Sequence, residues 1–281
     1  MKQKKYYFYA ESAKTILSAM NAKKKSIEVS LDLNRTTSII EVKNEHAVLD
    51  EDNTITIDQL KKIKKKDKKI FILEGECMSV VEERNDYYYK LLPTHAAPTI
   101  EISGVRMHRT KNYDPFIDAR EKVSTVVKKG DRVLDTCGGL GYTAIWAKNN
   151  GAKEVMTVEY DAHVVRLREK NPWSDELKDD KITVIITDVN DYIHSLESDT
   201  FDSIIHDPPR FSLSGELYGR EFYAELQRVL KRKGRLYHYT GTPYSKHQGN
   251  KFLKNTIRRL GSVGFRQIRD KTNILGVTAI K

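Results

Sequence analysis

Val133-Leu134-Asp135-Thr136-Cys137-Gly138-Gly139-Leu140-Gly141-Tyr142-Thr143-Ala144 reads as an apolar strand, a glycine-rich turn and the opening of a helix. Glycines let a ligand approach the backbone, and the first turn of a helix offers N–H groups that have no partner within it. Two ligand chemistries suit such a turn. A dinucleotide would set its pyrophosphate on the helix terminus, whereas a sulfonium nucleoside brings no phosphate and presents an ammonium group that needs an acid. Asp135, ending the strand just before the glycines, supplies that acid, directly or through water.

Outward from this turn the same rhythm repeats. Short apolar runs at 132–134, 155–158, 182–186, 201–205 and 235–239 alternate with helical patterns over 142–150, 161–170, 215–231 and 246–262. Parallel neighbours need a crossover connection, so the alternation predicts an α/β fold. Its form is a Rossmann-like, doubly wound, mostly parallel seven-stranded sheet. The last two runs, 265–269 and 274–280, have no helix between them and read as a closing hairpin with one antiparallel edge strand.

Two further acids end strands of this sheet. Glu159 lies 24 residues after Asp135, placed to accept ribose hydroxyls, and Asp188 follows the third run, placed to accept an adenine amino group. Any one of the three acids also suits the cap of the helix after it, since Asp is a preferred N-cap. Together they line the carboxyl edge, where open α/β sheets bind ligands.

The first 100 residues follow a different pattern. Period-two segments near 26–31, 38–42, 54–57 and 69–73 predict antiparallel strands of a small α+β domain. Seven lysines fall within 61–69, but Ile57, Leu60 and Ile63 recur at helical spacing, so the lysines read as the wet face of a short helix. Pro93 and Pro98 bracket small residues and mark the boundary. The division is therefore 1–100, a small domain suited to holding substrate, and 101–281, the domain with the glycine turn.

His206-Asp207-Pro208-Pro209-Arg210-Phe211 follows the fourth run, at the same edge as the acids. A planar amine has two hydrogens; Asp207 can accept one and the Pro208 carbonyl the other, aiming the lone pair at a methyl donor. Pro208 and Pro209 stiffen the turn, fixing that carbonyl in advance. Positioning then supplies most of the catalysis, and Asp207 can take the released proton. His206 and His238 are further candidates for the base, although strand histidines are more often packed and hydrogen-bonded. His108, Arg109, Tyr113, Tyr218 and Arg220 rank second as acceptor contacts.

The motifs Met107-His108-Arg109-Thr110, Leu134 to Gly141 and Ile205-His206-Asp207-Pro208-Pro209-Arg210-Phe211-Ser212 resemble those of class I S-adenosylmethionine-dependent methyltransferases, over about residues 105–281. Within that superfamily the chain is most similar to an archaeal group of predicted methyltransferases. The resemblance implies that Asp135, Gly139 and Gly141 line the methionine part of S-adenosyl-L-methionine, with Cys137 where a glycine is commoner. It also implies Glu159 at the ribose, Asp188 at the adenine and Asp207 beside the methyl donor. In resembling nitrogen methyltransferases an aromatic residue follows Asp-Pro-Pro. Here Arg210 stands at that place and Phe211 one later; a guanidinium can itself stack on a base or bind a phosphate.

Composition bounds the partners. With 281 residues, 39% hydrophobic and 31% charged, the chain reads as soluble and globular, with no transmembrane run or signal segment, and hence as cytoplasmic. Cys77 and Cys137 stand 60 positions apart without a CxxC or Cys/His cluster, which suggests neither a disulfide framework nor a metal site. The net charge of +10 favours polyanions, though the first 100 residues, with 18 basic and 15 acidic side chains, carry only +3 of it. The expected function is transfer of methyl to a planar nitrogen, most plausibly of an RNA base. Small-molecule or protein methylation, aminopropyl transfer as in polyamine synthases, and a catalytically silent binding module are the alternatives. A carbon-5 mechanism needs a cysteine nucleophile, and neither cysteine is placed for it.

Overall fold

A computed structural model describes residues 4–211, 213–241 and 248–281. Ser212 of the acceptor motif and the first two positions of the predicted helix 246–262 lie outside the described residues. The chain divides into two compact units: residues up to Pro115 with Glu169–Trp173, and Phe116–Arg168 with Ser174–Lys281.

The first unit contains three antiparallel sheets. One joins Lys5–Phe8, Phe71–Glu74 and Cys77–Val80, and its residues Tyr6, Phe8 and Leu73 are almost wholly buried. They share a core with the helix Ala10–Asn21, which buries Ala13, Ile16, Leu17 and Met20, and with the helix Ile57–Lys64. Thr56 caps the latter by accepting the Gln59 N–H at 3.2 Å. Leu60 and Ile63 are its buried stripe and Lys61, Lys62 and Lys64 its exposed face. Trp173, in the short segment that returns to this unit, donates its indole N–H to the Leu33 carbonyl at 2.8 Å.

In the second unit seven strands form one sheet: β1 (Arg132–Asp135), β2 (Glu154–Glu159), β3 (Ile182–Ile186), β4 (Phe201–His206), β5 (Leu230–Tyr239), β6 (Arg266–Lys271) and β7 (Gly276–Ile280). Their order is β3-β2-β1-β4-β5-β7-β6. The first five run parallel, and β7 lies antiparallel to both β5 and β6, so the closing hairpin is the antiparallel margin of the sheet. The helices are α1 (Pro115–Ser124), α2 (Tyr142–Asn149), α3 (Ala162–Arg168), α4 (Val189–Tyr192), α5 (Arg220–Val229) and α6 (Gln248–Ser262).

Val133, Leu134, Val155, Val158, Ile204, Ile205 and Leu236 have no solvent exposure. Strands covered on both faces read as unbroken apolar runs rather than alternating ones, which is why these were visible in sequence. Each such side chain contributes roughly 1.5–3 kcal/mol of burial. The parallel registers set Asp135 beside Thr157 and Glu159 beside Ile186, bringing strand-end residues far apart in sequence to one edge.

Candidate active site

Asp135 is fully buried at the end of β1. Its Oδ2 accepts the Thr143 and Thr157 hydroxyls, each at 2.9 Å, while Oδ1 has no partner among the described residues. Burial pushes this carboxyl up to about 7 against the two hydroxyl bonds. A buried carboxylate oxygen left unpaired is costly, and an ammonium group brought to Oδ1 would relieve it. The floor of the turn admits no side chain at Gly138, where a Cβ would stand 2.4 Å from Thr157 Oγ1. Gly141 opens α2 at φ +82°, with Leu177 filling the space a Cβ would need.

Glu159, ending β2, is tied to this turn: Oε2 accepts the Gly139 N–H at 2.6 Å and Oε1 the Asp161 N–H at 2.9 Å. Burial raises its carboxyl, with the two backbone bonds opposing. Next to it Tyr160 is exposed, as is Ile186 at the end of β3. Asp188 does cap the following helix, accepting the Asn190 N–H at 2.8 Å through Oδ1. Capping therefore occupies one carboxylate oxygen and leaves the other without a donor among the described residues.

Beyond β4 the acceptor motif shows a division of labour between its two proline carbonyls. That of Pro209 receives the Tyr218 hydroxyl at 2.9 Å and the Ser214 hydroxyl at 3.2 Å. That of Pro208 has no donor among the described residues. Phe211 is 49% exposed and packs edge-on to Tyr218 and Phe252, at 5.7 and 5.6 Å between centroids. Arg210 is exposed.

Asp207 itself is met by a residue that sequence reasoning missed. Lys122 of α1 places Nζ 2.7 Å from Asp207 Oδ2 and 3.0 Å from Asp118 Oδ2, with only 4% of its side chain exposed. Burial alone would lower this ammonium, but the Asp207 carboxylate, Tyr237 and Asp118 hold it well above its ordinary value. Burial raises Asp207, and Lys122 opposes that rise. The Asp118/Lys122 spacing of four on one helix was the available signal. Thr143 and Thr157, the partners of Asp135, were likewise not singled out.

The two histidines are structural. His206 Nε2 donates to the Leu217 carbonyl at 2.9 Å, leaving Nδ1 to accept the Thr136 hydroxyl at 2.7 Å. His238 pairs with the Tyr223 hydroxyl at 2.7 Å and with the His206 carbonyl at 3.4 Å. Both rings are fully buried, and burial lowers His206 to about 4 and His238 well below its ordinary value. Burial likewise raises the Cys137 thiol well above its ordinary value, the reverse of what a nucleophilic thiolate requires. Of the second-rank residues, Tyr218 and Arg220 lie in the second unit, whereas His108, Arg109 and Tyr113 lie in the first. There His108 Nδ1 bonds the Thr99 hydroxyl at 2.8 Å and Arg109 stacks on Tyr113 at 3.4 Å.

Among the described residues no helix is long and apolar enough to cross a membrane. Residues 107–263, more than half of the chain, match the TRM5/TYW2 methyltransferase domain. Uncharacterized protein MJ1233 of Methanocaldococcus jannaschii is 45% identical over 98% of this chain and 95% of its own length. Putative ribosomal RNA large subunit methyltransferase MJ1649 of the same archaeon is 31% identical, over 38% of this chain and 28% of its own. Spermidine synthase from Thermotoga maritima, 15% identical, shares the fold with a TM-score of 0.57 over all of this chain and 79% of that one. The chain thus belongs to the TRM5/TYW2 methyltransferase domain family and is a class I methyltransferase whose methyl donor is S-adenosyl-L-methionine.

Proposed function

We propose that the chain methylates a planar nitrogen of an RNA base. The observation that carries this reading is the Pro208 carbonyl beside Asp207, which has no donor among the described residues, set against a Pro209 carbonyl held by two hydroxyls. One N–H of the acceptor goes to Asp207 Oδ1 and the other to the Pro208 carbonyl, which turns the nitrogen lone pair toward the donor. Asp207 Oδ1 then receives the proton that the methylated nitrogen sheds. S-adenosyl-L-methionine supplies a methyl group already activated on a sulfonium. Asp135 Oδ1 holds its ammonium, Cys137, Gly139 and Gly141 line its methionine part, Glu159 takes the ribose hydroxyls and Asp188 Oδ2 the adenine amino group.

RNA as the acceptor class is supported by the name of the M. jannaschii relative MJ1649 and by the +10 charge. Arg210 and Phe211, both exposed beside the turn, suit a base and its phosphate. The test is incubation with methyl-labelled donor and total RNA, followed by nucleoside mass spectrometry. Label in a modified base supports the reading; label only in protein or metabolites overturns it.

Aminopropyl transfer is the second reading, prompted by the polyamine aminopropyltransferase of Streptomyces coelicolor, 30% identical over 46% of this chain. A polyamine is a cation and needs uncompensated acid, whereas Asp207 already faces Lys122. Methylthioadenosine rather than adenosylhomocysteine as product would favour it.

A further inference from the structure

We propose that Lys122 is a positioning residue for methyl transfer: by holding Asp207 Oδ2 it aims Oδ1, with the Pro208 carbonyl, at a neutral planar amine. The inference rests on the functional reading above and names the feature that selects the acceptor's charge.

Four observations carry it. Lys122 is nearly inaccessible, so its ammonium was not placed for solvent, and burying an unpaired ammonium would be strongly unfavourable. Its two carboxylate contacts, at 2.7 and 3.0 Å, come from different elements, Asp207 after β4 and Asp118 on α1. The bond to Asp207 engages Oδ2 alone, fixing the rotamer and leaving Oδ1 for a ligand. Tyr239 of β5 covers the ammonium, its ring centroid 5.1 Å from Nζ.

The charges around Asp207 can be counted. Lys122 and Asp118 face it from α1, Tyr237 and Tyr239 from β5, Tyr218 from the segment after β4, and Asp135 and Cys137 from the donor side, while Arg210 acts on Tyr239 and Glu159 on Asp135 and Cys137. Among these Lys122 is the cation in contact with Asp207. It opposes the rise that burial causes and so favours the ionised carboxyl, an acceptor at Oδ1 and not a donor. It also cancels the charge a cationic amine would seek. A neutral aromatic amine meets acceptors only; an alkylammonium meets Lys122 behind them.

The test is to titrate the Asp207 carboxyl by NMR in protein labelled with [13Cγ]aspartate, assigned with Asp207→Asn, alongside the pH profile of kcat on RNA. Lys122→Met should raise the Asp207 midpoint by at least about one pH unit, the effect of losing an adjacent opposite charge. The acidic limb of kcat should move with it, while KM for the donor stays within about twofold. Lys122→Arg should return the midpoint toward the wild-type value. Asp118→Asn removes a negative neighbour and should move the midpoint the opposite way, which keeps the test open if the methionine variant does not fold. An unmoved midpoint overturns the proposal, and so does a moved midpoint with an unmoved kcat profile. Wild-type inactivity on RNA would instead sink the functional reading, and the titration, which needs no acceptor, tells the two apart.

Discussion

Gly139 donates its backbone N–H to Glu159 Oε2 at 2.6 Å, so the glycine turn after β1 is clamped by the acid that ends β2. One side chain thus shapes the turn and is also the residue proposed to take the ribose. Replacing it should damage both.

Glu159→Gln keeps the size but presents an amide NH2 to one of two backbone N–H groups, at Gly139 or Asp161. A hydrogen bond to a charged group contributes about 1.5–3 kcal/mol, so donor affinity should fall roughly 10- to 100-fold. Isothermal calorimetry with S-adenosyl-L-methionine checks this. Affinity unchanged by the substitution would mean that the clamp is not part of the site.

Gly138→Ala tests the floor of the same turn. The new Cβ would meet Thr157 Oγ1 at 2.4 Å, and that hydroxyl is itself committed to Asp135 Oδ2. Relief requires moving either the turn or Thr157, at a cost of about 1–3 kcal/mol typical of overpacking. Thermal unfolding should show the loss, and calorimetry a weaker donor. Thr157→Ala, which removes the clashing oxygen, should recover part of the stability in the double variant.

The centre of the sheet was legible because its strands are covered on both faces and end in an acid or a turn. Asp135, Glu159 and Asp188 could be placed at one edge from that pattern alone. What sequence did not reveal depends on three-dimensional pairing. Lys122 and Asp207 stand 85 positions apart, and nothing local says that an ammonium on α1 meets a carboxylate beyond β4. His206 and His238 look like bases on paper because imidazole titrates near neutrality, but Leu217, Thr136 and Tyr223 occupy their nitrogens. The helix Ala10–Asn21 was missed for a different reason. Its N-cap is Tyr9, which lacks the short polar side chain that announces a helix start.

Tyr218→Phe isolates the fixing of the acceptor turn. The hydroxyl lost is one of two donors to the Pro209 carbonyl, while the ring keeps its contacts with Phe211 and Phe252. Donor binding should be unchanged and kcat should fall by about tenfold, the value of one hydrogen bond used for orientation. Single-turnover methylation against calorimetry separates the two effects. A loss confined to donor affinity would contradict this assignment.

Asp135 makes a prediction about pH whose sign differs between binding and stability. Holding an ammonium requires the ionised carboxylate, and burial places its midpoint at about 7. Donor affinity should therefore fall about tenfold per pH unit as pH drops below 7, and Asp135→Asn should be weak and flat across that range. Stability runs the other way. A carboxyl raised from 3.8 to about 7 keeps its proton in the folded chain after the unfolded chain has lost it, so the wild type loses stability as pH rises from about 4 to about 7. The full difference is about 4 kcal/mol at 1.36 kcal/mol per unit. His206, lowered to about 4, opposes this trend by favouring the folded chain as pH rises toward 6.5. Only the difference between wild type and Asp135→Asn isolates the acid. Chemical denaturation without donor should show the two chains similar near pH 4 and the variant more stable above pH 7. A variant less stable at every pH would show that the buried charge is already compensated within the protein.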